Sequence, residues 1–189
     1  MKVVLASGSP RRRELLETLG LEFEICPAKG EEKAEEGLPP EKLVCALAGA
    51  KAAEVAEKYS DDAVIIAADT IVWAEGEVLG KPKDEADAAR MLKMLSGRSH
   101  KVFTGMAVVS GRSSEYAAEE TEVFFRELSD DEISAYISTG EPMDKAGAYG
   151  IQGMASLFVE GIKGDYYNVM GLPLCRLGEI LKSIGVRLL

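Results

Sequence analysis

Apolar residues along this chain recur in two rhythms, and the places where one gives way to the other mark the elements. Residues 2–6 are almost continuously apolar, the pattern of a strand buried on both faces of a sheet, and they run into Ser7-Gly8-Ser9-Pro10. Over 11–19 the period turns helical, with Leu15, Leu16 and Leu19 on one side; Ser9 is placed to cap, Pro10 to start and Gly20 to stop that helix. Residues 21–26 alternate as a second strand, 27–38 form a lysine- and glutamate-rich loop closed by Pro39-Pro40, and 41–59 read as a long helix. Another buried strand covers 63–68, with Asp69-Thr70 at its carboxyl end, Ile71-Val72-Trp73 continuing it, and a turn at Glu75-Gly76-Glu77. Asp84 caps a helix over 85–95 that ends at Ser96-Gly97, and 102–109 pairs with 117–125 around Ser110-Gly111. Ser129 with Glu132 makes a capping box before 133–137, a strand is expected at 156–159, and a helix over 172–184 closes the chain. Early alternation of strands and helices around a β-rich middle predicts an α/β domain with a mixed sheet. There is no repeat and no long linker, so residues 1–189 read as a single domain.

Charge changes this picture more than composition does. The chain has 22 Lys plus Arg against 32 Asp plus Glu, a net charge of −10, which disfavours a broad nucleic-acid face. Any anionic ligand must be held by a local cluster of cations. The cysteines, Cys26, Cys45 and Cys175, are odd in number and far apart, and His100 is the only histidine. No disulfide framework and no multi-histidine metal site is expected, and a reduced compartment follows. With no long apolar run, a membrane partner is not expected, and the chain reads as cytoplasmic.

Candidate chemistry gathers in a few segments. Ser7-Gly8-Ser9 before a helix start, beside Arg11, Arg12 and Arg13, offers N–H groups and cations to a phosphate, or is an ordinary cap with a solvated basic face; it is not a Walker A loop. Lys51 lies on the apolar stripe of its helix, four after Leu47 and four before Val55, so it either snorkels outward or points into a polar cleft. Asp69 ends a buried strand, where ligands collect in open α/β sheets; it is a turn former, a base or a metal ligand. Glu31 and Glu32 sit in a charge run, and Lys81 in Leu79-Gly80-Lys81-Pro82-Lys83. Gly147, Gly150 and Gly153 recur every third residue in a tight loop, whose Gln152 carries an amide able to read a nucleobase edge. His100, with no histidine or cysteine partner in view, reads as structural.

The segments LASGSPRRRELLETLG, AKAAE, AADTIV, GKPKDEADAARMLKMLSGRSHKVFTG, DKAGAYGIQG and GDYYNVMGLPL, in that order, resemble the Maf family of nucleoside triphosphate pyrophosphatases over nearly the whole chain. The resemblance implies a Maf/ITPase-like fold, a central mixed β-sheet flanked by helices with two lobes around a cleft. It implies hydrolysis of a nucleoside triphosphate, modified ones included, between the α and β phosphates, with a divalent cation (Mg2+ or Mn2+), a link to division arrest, and in many members a homodimer. Carried over by position, Asp69 would accept the proton of water, and Lys51 and Lys81 would act on the phosphates with Ser7, Arg11 and Arg12. Glu32, or Glu31 in its place, would hold the metal with Asp69. Arg12, Thr70 and Gln152 match the positions that set base preference in the branch acting on dTTP and UTP. The alternative is a nucleotide-binding regulator of septum formation with little turnover.

Overall fold

The computed structural model describes residues 2–30, 37–111 and 113–189. Its chain order is β1 (Lys2–Leu5), α1 (Pro10–Glu17), β2 (Phe23–Ile25), α2 (Pro40–Ala56), β3 (Ala63–Ala74), β4 (Glu77–Leu79), α3 (Glu85–Leu95), β5 (Ser99–Ser110), β6 (Ser113–Phe125), α4 (Asp130–Ser138), β7 (Val159–Lys163), α5 (Tyr166–Met170) and α6 (Leu174–Ser183). Three 3-10 turns, Glu141–Asp144, Ala146–Ala148 and Met154–Leu157, separate α4 from β7. The seven strands form one mixed sheet in the order β2-β1-β3-β5-β6-β7, with β4 paired to β3. The expected α/β class with a mixed, helix-flanked sheet is therefore the one found. The chain divides into two compact units, Met1–Asp69 with Thr104–Glu119 and Gly171–Leu189, and Thr70–Phe103 with Glu120–Met170.

In the first unit β1 runs parallel to both β2 and β3, with Leu5 opposite Ile25 on one side and Ile66 on the other. Crossovers between parallel strands lay helices over the faces of the sheet, which explains why Val3, Val4 and Leu5 are all buried and why apolar residues run on without alternation. Helix α2 lays Ala48, Ala52 and Val55 against Val4, Ala6, Ile65, Ala67 and Ala107. The approach is close because Gly105 has no side chain: a Cβ there would lie 2.3 Å from the Val44 carbonyl carbon and 2.6 Å from the Cys45 nitrogen. Small residues on both surfaces set the height of this helix above the sheet.

In the second unit β3 and β4 form a hairpin in which Val72 pairs with Leu79 and Ala74 with Glu77. Its two turn residues, Glu75 (φ 51°) and Gly76 (φ 86°), both take left-handed values, as a tight two-residue hairpin demands. Asp84 accepts from the Asp87 N–H at 2.8 Å to start α3. The expected capping box of α4 is present, with Ser129 accepting from the Glu132 N–H and Glu132 accepting from the Ser129 N–H.

Two expectations need correction. The strand expected at 156–159 is instead the 3-10 turn Met154–Leu157, and the strand begins at Val159. Ala155 and Phe158 are buried three residues apart, a turn-like spacing that single-residue alternation misread. Ser9 sits at the N-cap position of α1 but makes no side-chain cap; its own N–H is turned toward Ser7. The short helix α5 is an addition to the expected elements.

Candidate active site

In the first unit the parallel pairing of β1 and β3 fixes where two candidate residues emerge. The Ala6 N–H donates to the Ile66 carbonyl at 2.7 Å, so Ser7 and Asp69 both lie just past the last β1–β3 pair, Ser7 in the loop after β1 and Asp69 inside β3, which runs on to Ala74 rather than ending at Asp69 as expected. Asp69 is 7% exposed. Lys51 lies two helical turns beyond Val44 and shares its sheet-facing side of α2. It turns inward, and its Nζ donates to Asp69 Oδ1 in a largely buried ion pair, Asp69 buried and Lys51 half-buried. Such a pair contributes little net stability, yet removing one partner leaves a desolvated charge and costs about 3–5 kcal/mol.

Ser7 Oγ accepts from the Ser9 N–H at 3.2 Å and from Arg12 Nη1 at 3.3 Å. Arg12 Nε donates to the Gly171 carbonyl at 2.8 Å, which tethers the guanidinium to the segment leading into α6. Arg11 and Arg12 are half-buried, whereas Arg13 is exposed, and its Nε donates to Glu17 at 2.8 Å. Of the three consecutive arginines, Arg13 is thus the solvated one, and Arg12 is built into the loop that carries Ser7.

In the second unit Gly147 is a junction. Its N–H donates to the Gly80 carbonyl at 3.0 Å, its φ is 67°, and a Cβ on it would fall 2.8 Å from Val72 Cγ2. Only glycine fits a left-handed position pressed this closely against a strand. The junction joins the backbone segments that carry Thr70, Lys81 and Gln152; Thr70 is half-buried, and the other two are exposed. Sequence reasoning missed Tyr136 and Glu141. The Tyr136 hydroxyl donates to Glu141 Oε1 at 2.9 Å, and Glu141 Oε2 accepts from the Met154 N–H at 3.1 Å. The glycine spacing was the available signal, because a Cβ at 153 would lie 2.1 Å from Glu141 Oε1 and one at 150 would lie 2.6 Å from Lys145 Cε.

His100 is buried as expected, its Nε2 2.8 Å from the Tyr149 hydroxyl, and burial pushes its imidazole pKa down to about 4. The cysteines are free. Glu31 and Glu32 lie outside the described residues. Among the described residues no group of three or more His, Cys, Asp or Glu could hold a metal ion, and no helix is long and apolar enough to cross a membrane. Asp69 does supply the hard oxygen donor that Mg2+ favours, an ion that takes only one or two carboxylates and fills its sphere with phosphate oxygens and water.

A carboxylate paired with a lysine on β3, with a serine and a tethered arginine in the same unit, is a set of groups suited to a phosphate ligand. Comparison with known proteins narrows the class: the chain belongs to the Maf family, whose model, described as Maf-like protein, matches residues 2–184. It is 56% identical over 187 residues, 98% of this chain and 96% of the relative, to the dTTP/UTP pyrophosphatase of Moorella thermoacetica. It is 50% identical over 190 residues, 100% of this chain and 99% of the relative, to that of Pelotomaculum thermopropionicum. Among solved structures it resembles a HAM1 protein from Coxiella burnetii, with TM-score 0.57 and 16% identity over 97% of this chain and 99% of that one. The Ham1 protein of Staphylococcus aureus gives TM-score 0.56 and 13% identity over 97% and 100% of the two chains, a likeness of fold alone.

Proposed function

We propose that this chain hydrolyses dTTP and UTP to the monophosphate and pyrophosphate. The observation that carries the reading is the Lys51–Asp69 ion pair on β3, just past its last pairing with β1, taken with relatives of 50–56% identity that bear that activity in their names. Substitution at phosphorus asks a protein mainly for positioning and charge stabilisation. Lys51 donates to Oδ1 of Asp69 and orients the carboxylate, and Asp69 Oδ2 takes the proton of the attacking water. Arg11 and Arg12 supply flat, two-pronged donors to phosphate oxygens, Ser7 adds a hydroxyl, and Lys51 and Lys81 bring point charges. Thr70, Gln152 and Arg12 set base preference. Asp69, with Glu32 or Glu31, would hold Mg2+ or Mn2+, which would supply charge neutralisation to the phosphates. The whole chain, 1–189, serves as one catalytic domain.

The charge of −10 speaks against nucleic acid as a partner. The free cysteines fit a cytoplasmic location, and a homodimer rests on the resemblance alone. Purified protein with Mg2+ and each triphosphate in turn, assayed for pyrophosphate and orthophosphate, tests the reading. Pyrophosphate from dTTP and UTP ahead of the purine nucleotides is expected. Orthophosphate alone would mean cleavage at the γ phosphate, and tight binding without either product would mean a nucleotide-responsive regulator.

A further inference from the structure

Resting on the base-selection role of Gln152, we propose that His100 and Tyr149 are positioning residues whose hydrogen bond fixes the segment presenting that amide. Both side chains are buried, at 3% and 5% exposure, and their polar atoms meet at 2.8 Å. Tyr149 follows Ala148, a fully buried non-glycine residue at φ 60°. That conformation costs about 1–2 kcal/mol and persists only where its surroundings hold it.

The holds fall on either side of Gln152. On one side the Gly147 N–H bonds to Gly80, and the Tyr149 hydroxyl to His100. The Gly150 N–H donates to the Tyr136 hydroxyl at 3.3 Å. On the other, the Met154 N–H donates to Glu141. Gln152 itself is exposed between them.

Packing alone does not supply this hold. Tyr149 meets His100 and Phe125 edge to face, with ring centroids 5.3 and 4.8 Å apart, a geometry that lets a ring slide along its long axis. The hydrogen bond between the phenol and a ring nitrogen fixes that axis. Stability alone does not call for a histidine here either. Its Nδ1 is buried without a hydrogen-bond partner, and replacing both members of a buried polar pair with apolar groups of like shape is close to neutral. What such a swap loses is the fixed length between β5 and the segment leading to Gln152.

The test compares kcat/KM for dTTP with that for dGTP in wild type, Tyr149→Phe, the double variant His100→Leu/Tyr149→Phe, Gln152→Ala and Tyr149→Phe/Gln152→Ala, with thermal melts of each. The expected result is a dTTP preference reduced about tenfold in Tyr149→Phe and in the double variant, both still folded. Tyr149→Phe added to Gln152→Ala is expected to cause no further loss, since the amide it positions is gone. An unchanged preference in folded Tyr149→Phe overturns the inference while leaving the proposed function standing. So does a Tyr149→Phe protein that fails to fold, because the pair would then serve the fold rather than the choice of base. Wild-type protein that releases no pyrophosphate from dTTP overturns both.

Discussion

The two units bury titratable groups in opposite ways. The first sets an ion pair, Lys51 with Asp69, on β3 just past its parallel pairing with β1. The second buries His100 and Tyr149 as neutral partners among Phe125, Phe158 and Tyr136. Burial raises the Tyr149 phenol pKa and lowers that of the His100 imidazole, both away from charge. An ion pair set where a neighbouring strand has ended is chemistry held ready, whereas a buried neutral dyad within an aromatic cluster holds shape. Burial by itself therefore does not mark the reacting residue; a carboxylate paired with a cation from a neighbouring helix does.

The sharpest way to break this contrast is at Asp69. Asp69→Asn keeps the shape and removes the proton acceptor, so turnover of dTTP should fall by about 10²–10⁴, with nucleotide binding largely retained, as steady-state assays and calorimetry would read. The same change at a group that only held shape would lower stability and leave the rate per folded molecule alone. Next in size is Gly105→Ala in the first unit, whose new methyl would meet rigid backbone at 2.3 Å. A loss of about 3 kcal/mol is expected, or a melting temperature lower by roughly 10 °C, because α2 cannot ride up without carrying Lys51 from Asp69.

In the second unit the expected signature is one of pH. His100 stays neutral in the fold at a pKa of about 4, against 6.5 when exposed. Between these values the unfolded chain takes up a proton that the folded chain does not, so stability falls as the pH drops from 6.5 towards 4, by about 3 kcal/mol in all. Urea titrations across that range should show the loss, and His100→Leu should abolish it. Glu132 gives a separate, lower window. Its bond from Arg126, helped by the Ser129 N–H, holds its carboxyl at about 2, so its contribution is intact above 4.5 and is lost below that. The smallest effect expected is that of Ser129→Ala, about 1 kcal/mol from the cap of α4, with the rate untouched.

How much of this was legible depended on how local the cause was. The cap at Asp84, the capping box at Ser129 and Glu132 and the buried runs of β1 and β3 are written in neighbouring residues, and each is where the pattern placed it. Asp69 was singled out by its position after a buried run, and Lys51 by its place on an apolar stripe. That the two meet required α2 to cross the sheet at Gly105, a contact between residues 61 positions apart in the chain (44 and 105) that no window of sequence contains. Ser9 stands at the N-cap position without a side-chain cap, a matter of rotamer that the residue type alone does not fix. Tyr136 and Glu141 stayed hidden because their partners, at 150 and 154, lie across turns that alternation cannot register.

The most direct test of the central claim is hydrolysis of dTTP in water enriched in 18O, with the label located by mass spectrometry. Water activated at Asp69 and directed at the α phosphorus places the 18O in the monophosphate and leaves the pyrophosphate unlabelled. Label in the pyrophosphate would mean attack at the β phosphorus, and the arrangement argued from Lys51, Asp69 and Arg12 would be wrong.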